Sequence, residues 1–433
     1  MEMEKAVNEI ISSERFRKEV VRHFCDMLAI PAMAPENGGT GELSRARFLE
    51  GLLKDLGFEE VKRVDSSDAR AEGGVRPNII ALPQKAGSKD LPITWLVTHM
   101  DTVPVNESEM NVWKSDPFKP EIRDGAIFAR GASDNGQDLI ATVFAVAAVK
   151  RALPELNLPI GIVLVADEET GSKHGIIHLI RNGNIFSKKR GDEVIVPDAG
   201  SDKGDLIETA EKGLLWMRVE TKGKQAHGSR PDLGLNAQLI ASRFQCELHG
   251  RLSKKFPARN RFFTSPVSTF EPTMRFPSVK NVNTIPGEDT FFMDCRILPD
   301  YRILDVLRYS RHLARKFSKS TGARITVSVH HVQQTSPKTS PESRTVVRLN
   351  KAIRSVLHHV KPHAGGIGGN TCAAFFRSAG FPAVVWGLKE GKAHAPNESA
   401  RISDVMNSVQ VYSQFYINAS REGKTAGKQK KRD

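Results

Sequence analysis

The 433-residue sequence predicts an α/β protein: a discontinuous domain on a mostly parallel central sheet, interrupted by a smaller ferredoxin-like α+β domain. Three observations predict it. Runs such as Trp95–Thr98 and Pro159–Ala166 are apolar end to end, as strands covered on both faces must be. These runs alternate with helical stretches. After Glu211 the order becomes β-α-β-β-α-β over about 120 residues, the size of a small ferredoxin-like domain.

Each element has a local signal. Ser13 is placed to cap a helix carrying Phe16, Val20, Phe24 and Leu28 at four-residue spacing. Thr40 is placed to cap a second, with Leu43, Leu49, Leu52, Leu53 and Leu56, stopped by Gly57. Strands are expected at 78–82, 92–98, 159–166 and 193–196, with a long helix over 137–153. The inserted domain reads as strand 214–220, helix 233–251, strands 263–271 and 289–296, helix 303–317 and strand 324–331. The Ser/Pro/Thr-rich stretch 333–344 leads back, and 347–357, the Gly-rich 365–369, 383–386 and 402–419 complete the first domain. The implied boundaries are 1–212, 213–333, 334–420 and a basic tail, 421–433.

Composition removes several classes. With 39% hydrophobic and 26% charged residues the chain is neither fibrous nor low-complexity. Its 63 Lys+Arg against 50 Asp+Glu give a net charge of +13, which raises nucleic acid as a partner. The tail accounts for part of that charge as a solvated, disordered terminus. The remainder is expected to be spread along the chain with no basic stripe interleaved with aromatics, so no nucleic-acid partner is expected. Cys25, Cys246, Cys295 and Cys372 show no paired spacing, which disfavours disulfides or a thiolate zinc site and fits a reducing cytoplasm. No signal peptide or membrane span is read.

The chemistry-bearing residues stand just beyond the apolar strands. His99 and Asp101 lie in His-Met-Asp-Thr-Val-Pro, Asp134 in Gly-Ala-Ser-Asp-Asn-Gly before the long helix, Glu168 and Glu169 in Asp-Glu-Glu-Thr-Gly, and Asp198 after 194–196. Any one of these acids is ordinarily a turn or cap residue. Their coincidence at successive strand ends is what open α/β sheets use to bind ligands. Imidazole and carboxylate suit zinc, cobalt or manganese without thiolate. Paired divalent ions need a bridging carboxylate, a role open to an Asp at a helix start. The i, i+2 spacing lets Asp101 orient the His99 ring by accepting from its non-ligating nitrogen. Of the adjacent Glu168 and Glu169, one can bind metal while the other acts as general base. His330-His331 and His358-His359 are read as structural, because neighbours on a strand or helix diverge.

In these motifs, and in their order over about residues 15–420, the sequence resembles the two-zinc aminoacylase/carboxypeptidase family. That family includes acetylornithine deacetylase, succinyl-diaminopimelate desuccinylase, glutamate carboxypeptidase and related dipeptidases. The resemblance implies a metallopeptidase-type catalytic domain and an inserted lid or dimerisation domain. It implies two divalent ions, zinc first with cobalt or manganese as alternatives. His99 and Asp198 would hold one ion, Glu169 and His394 the other, with Asp134 bridging. His394 comes from Gly-Lys-Ala-His-Ala-Pro-Asn-Glu, 391–398. Glu168 would be the general base and Asp101 the orienting acid. His227, in Gly-Lys-Gln-Ala-His-Gly-Ser, would reach a partner subunit's site and help stabilise an oxyanion. Asn283, Arg296, Gly369 and Thr371 would hold the substrate's anionic end.

The implied activity is hydrolysis of an amide in a small anionic N-acyl amino acid, succinyl-diaminopimelate first, by a cytoplasmic homodimer. A carboxypeptidase, a dipeptidase or an acetylornithine-type deacetylase is the alternative, and a non-catalytic binder that kept the fold is the different class. Two positions depart from many relatives. Asn135-Gly136-Gln137 stands where a lysine often follows the bridging Asp, and Cys372 stands where an Asp is frequent. Both bear on substrate choice rather than on metal chemistry.

Overall fold

The computed structural model describes residues 2–84, 91–182, 184–276 and 278–429, with side chains described to 421. The chain divides into two compact units. One comprises 1–209, 338–364 and 371–433, the other 210–337 and 365–370.

The first unit is built on an eight-stranded sheet. Its strands are β1 (Glu60–Ser67), β2 (Val75–Leu82), β3 (Thr94–His99), β4 (Ile160–Val165), β5 (Glu193–Val196), β6 (Leu206–Glu211), β7 (His363–Ile367) and β8 (Ala383–Val385), in the order β1-β2-β4-β3-β5-β8-β6-β7. The central neighbours β4-β3, β3-β5 and β5-β8 are parallel, flanked by antiparallel β1-β2, β2-β4 and β8-β6 pairs. Every residue of β3, β4 and β5 is buried, which explains their unbroken apolar character. Gly161 in β4 lies under the Trp95 ring, where an added Cβ would come within 2.2 Å. The helix Gln137–Ala152 is apolar on every side and buried from Gln137 to Val149, packed against the helices Glu14–Leu28 and Ile402–Gln429.

The second unit has the strand order Thr269–Arg275, Glu288–Ile297, Gly213–Lys222, Arg324–Gln333, antiparallel throughout. The helices Ala237–Lys255 and Ile303–Thr321 pack on it. Phe291, Met293, Cys295 and Ile297 alternate into this core against Leu215, Met217 and Val219.

The fold class is the expected one, with local differences. A helix Glu2–Ile11 precedes the two anticipated. Thr40 caps nothing; the second helix is Leu43–Asp55, and the Glu42 side chain before it is committed to Arg76. The strands Glu60–Ser67, Leu206–Glu211 and His363–Ile367 carry too many polar or glycine positions to have been read. The tail anticipated as disordered from 421 continues helically to Gln429, with Arg421 bonded to Glu4 at 2.7 Å; residues 430–433 lie outside the described residues. A bulge between Val329 and His331 brings both His330 and His331 against Trp216, where simple alternation would have separated them. The basic charge is not evenly spread either. The second unit holds 21 Lys+Arg against 10 Asp+Glu, a net +11 of the chain's +13. Among the described residues, no helix is long and apolar enough to cross a membrane.

Arg76, wholly buried in β2, pairs with the equally buried Glu42 at 2.7 and 2.5 Å and lies 3.6 Å from Asp68 and 3.7 Å from Asp167. Removing the cation leaves the buried Glu42 without its guanidinium partner and takes a positive charge from beside Asp68 and Asp167. Arg76→Met is therefore expected to destabilise the protein by about 3–5 kcal/mol, read as a lower denaturant midpoint. A midpoint equal to that of the parent would show the pair to be dispensable.

Candidate metal centre

The site is assembled where strands stop. His99 is the last residue of β3, and Asp198 lies two residues past β5. Glu168 and Glu169 open a short turn beyond β4. Asp134 lies in the turn that feeds the helix Gln137–Ala152, and His394 in the loop between β8 and the strand Ser399–Arg401. Asp167 and His394 hold left-handed backbones, φ +64° and +63°, a conformation that costs non-glycine residues energy and collects at functional sites.

The six side chains of His99, Asp134, Glu168, Glu169, Asp198 and His394 meet within a few ångströms. One oxygen of Asp134 lies 3.0 Å from Nε2 of His99, and the other 3.2 Å from Nε2 of His394. His99 Nε2 also lies 3.9 Å from Asp198, and His394 Nε2 lies 3.1 Å from Glu169. Donor atoms of His99, Asp134 and Glu169 fall within 4.8 Å of one another, as do those of His99, Glu168 and Asp198. Asp134 therefore stands between two histidines, one carboxylate oxygen facing each.

Asp101 does more than the sequence suggested. Nδ1 of His99 is nearest the Asp101 backbone carbonyl, at 3.0 Å, with the carboxylate at 3.4 Å. The carboxylate accepts the backbone N–H groups of Glu168 and Glu169 at 3.1 and 3.0 Å, so it orients the ring and holds the Glu-Glu turn together. Glu398 was missed as a functional residue. Its buried carboxylate accepts from the backbone N–H of Gly131 (3.1 Å), Ser133 (2.9 Å) and Asp134 (2.9 Å), and from the guanidinium of Arg130 (2.8 Å). The only sequence signal for it was its place four residues after His394. Asn135, beside Asp134, donates to the carbonyl of Pro197, beside Asp198, at 2.7 Å.

Charge is crowded here. Burial, then the nearby Asp198, pushes Glu168 well above the usual carboxylate range. Burial and Asp134 raise Glu169 to about 7, and Asp198 is raised by the same two causes. Hydrogen bonds to Asp134 and Glu169 lift His394 to about 10. Burial pulls His99 down, but Asp101 and Asp134 more than offset it and hold the ring well above its ordinary value. Imidazoles and carboxylates converging in one place, with Glu168, Glu169 and Asp198 pushed towards protonation while Asp134, bonded to both histidines, is held well below its ordinary value, form a donor set that fits divalent cations.

The other anticipated residues are placed separately. In the second unit His227 is exposed, bonded through Nδ1 to Ser229 at 2.8 Å, and paired opposite Thr284, with Gly228 N–H reaching the Asn283 carbonyl at 2.6 Å. His227 and Asn283 are thus neighbours. Arg296 is gripped by Asp294 at 2.7 and 2.9 Å and reaches the Gly368 carbonyl at 3.3 Å, next to Gly369. In the first unit Thr371 caps the helix Cys372–Ser378, accepting from Ala373 N–H at 3.1 Å.

Residues 95–418 match the model of peptidase family M20/M25/M40. The chain belongs to this family. It is 34% identical over 409 residues to an uncharacterized metallohydrolase of Methanocaldococcus jannaschii, covering 91% of this chain and 98% of that one. It is 25% identical over 397 residues to succinyl-diaminopimelate desuccinylase of Stenotrophomonas maltophilia, covering 88% and 94%. Among solved structures, human carnosine dipeptidase 1 superposes with a TM-score of 0.77 at 18% identity, over 97% of this chain and 99% of that one, a likeness of fold. This M20-family chain is a metallohydrolase.

Metal uptake must displace protons. Without metal at neutral pH, His394 (about 10) is protonated and Glu169 (about 7) is half protonated; both must be bare to ligate. Calorimetry in buffers of different ionisation enthalpy is expected to show release of about one proton or more per protein. Affinity should rise from about pH 6 to pH 8. Binding without net proton release would contradict these protonation states.

Proposed function

We propose that the chain is a two-ion amidohydrolase acting on small anionic N-acyl amino acids. The observation that carries this reading is Asp134, with one oxygen towards His99 and the other towards His394. That arrangement suits a bridging carboxylate, with His99 and Asp198 on one side and Glu169 and His394 on the other. The donor set favours zinc first, with cobalt or manganese as alternatives. When bound, the ions supply Lewis-acid polarisation of the scissile carbonyl and a more acidic water.

The residues of the chain do the rest. Glu168 takes the proton of the attacking water and passes it to the leaving amine. Its raised pKa suits a group that must hold a proton between two steps. Asp101 keeps Glu168 and Glu169 in register by their backbone N–H groups. His227 donates to the developing oxyanion, and Asn283, Arg296, Gly369 and Thr371 hold the anionic end of the substrate. The net +11 of the second unit is consistent with an anionic substrate, and that unit is read as the dimerisation domain of a homodimer.

Succinyl-diaminopimelate is the first substrate, supported by the desuccinylase relative. A dipeptide is the second, favoured by the full-length fold match to a dipeptidase. A panel of N-succinyl, N-acetyl and dipeptide substrates, with added zinc, cobalt or manganese, separates them. Glu168→Gln is expected to lower kcat by about two to four orders of magnitude while metal content is retained. Undiminished turnover in that variant would reject Glu168 as the base. Hydrolysis of dipeptides alone would reject the N-acyl assignment.

A further inference from the structure

Behind Asp134 lies a buried ion pair that the reading above leaves without a role. Lys389 is about nine-tenths buried, and its ammonium lies 2.8 Å from Asp138 and 3.1 Å from the Ser133 carbonyl. Asp138 is wholly buried in the first turn of the helix Gln137–Ala152; its Oδ2 has the ion-pair contact with Lys389, and neither oxygen has a well-aligned hydrogen-bond donor among the described residues. A half-satisfied buried carboxylate is a poor way to gain stability, since apolar replacements of buried pairs are commonly neutral or stabilising.

The contact with Ser133 shows what the pair does. The Ser133 carbonyl and the Asp134 N–H belong to one peptide group. Lys389 donates to its oxygen, and Glu398 accepts from its nitrogen at 2.9 Å. The peptide that sets the direction of Asp134 is therefore gripped at both ends by opposite buried charges. The turn has little room for an anchor of its own at 136. A Cβ on Gly136 would come within 2.5 Å of the Gly131 carbonyl and 2.9 Å of the Phe24 ring. The anchors come from distant sequence instead.

We propose that Lys389, held by Asp138, is a positioning residue. It fixes the plane of the Ser133–Asp134 peptide so that the two Asp134 oxygens face His99 and His394. The inference rests on the metal reading above. The paired variant Asp138→Leu/Lys389→Met removes both charges and leaves net charge unchanged, so direct electrostatic effects on a cation largely cancel. Lys389→Gln keeps a donor for the Ser133 carbonyl without the charge.

The test is zinc affinity of the metal-free full chain, by competition with a chromophoric chelator, with thermal melting of each protein and the visible spectrum of its cobalt form. The paired variant should melt no lower than the parent, bind zinc about tenfold or more weakly and show an altered cobalt spectrum. Lys389→Gln should stay within about threefold of the parent and keep its spectrum. Parental affinity in the paired variant would overturn the proposal. If that variant does not fold, Lys389→Met against Lys389→Gln gives the same reading, and equal affinities for the two overturn it. A parent chain that binds no divalent ion would instead defeat the two-ion reading itself.

Discussion

The structure is organised around one electrostatic difficulty: Asp101, Asp134, Glu168, Glu169 and Asp198 crowd into a largely buried space. Like charges at such separations cannot all ionise in a medium poorer than water. The upward shifts of Glu168, Glu169 and Asp198 express that crowding. Divalent cations would relieve it, and the surrounding protein holds the acids in place. Buried cations stand around the cluster: Arg45 on the carbonyls of Ile30 and Met100, Arg76 on Glu42 near Asp167, Arg130 on Glu398, and Lys389 on Asp138. Each stabilises an acid or a carbonyl near the candidate metal-binding residues rather than one of those residues itself. A carboxylate that ligates is thereby fixed by its backbone, and its oxygens remain available.

The same constraint explains why the site sits at strand ends. Strands β3, β4 and β5 are rigid because every residue is buried, and they deliver His99, the Glu-Glu turn and Asp198 to one edge. The two remaining candidate ligands, Asp134 and His394, come from loops, so they need more support. Asp134 has Glu398 and Lys389 on its preceding peptide. The loop of His394 is tied at Asn397, which accepts from Lys114 N–H at 2.8 Å and donates to the Val112 carbonyl at 2.9 Å. Precision at a loop ligand is a matter of how many bonds hold its backbone.

That division decides what the sequence could reveal. Ligands are legible because their chemistry is unusual for their place: a His and several acids directly after apolar runs. Their supports are not. Glu398 acts through backbone N–H groups, Lys389 sits in a Lys-Glu-Gly-Lys stretch that reads as solvated charge, and Asp138 looks like an ordinary acid in the first turn of a helix. Nothing local marks them, since their partners lie about 250 residues away in the chain or belong to the backbone. The strands Glu60–Ser67 and His363–Ile367 were hidden for a related reason. The burial pattern of the first is too broken, and two of five positions in the second are glycine. The divergence expected of His330 and His331 assumes a regular strand, and a bulge suspends it, so both rings meet Trp216; their reading as structural residues is unchanged.

Cys372 shows how the constraint reaches residues that touch no metal. It is buried, and burial together with Glu168 and Asp198 pushes its thiol well above the ordinary value, which favours the neutral form. A carboxylate in that place would add a further negative charge to a cluster whose members already resist ionising. A neutral thiol adds no charge and leaves Glu168 easier to ionise than a carboxylate there would. The departure of this chain at 372 therefore leaves the candidate metal-binding residues in place, and its electrostatic effect falls on Glu168 and Asp198. What a buried carboxyl such as Glu168 does is thus set as much by the neutral and charged residues packed around it as by its own chemistry.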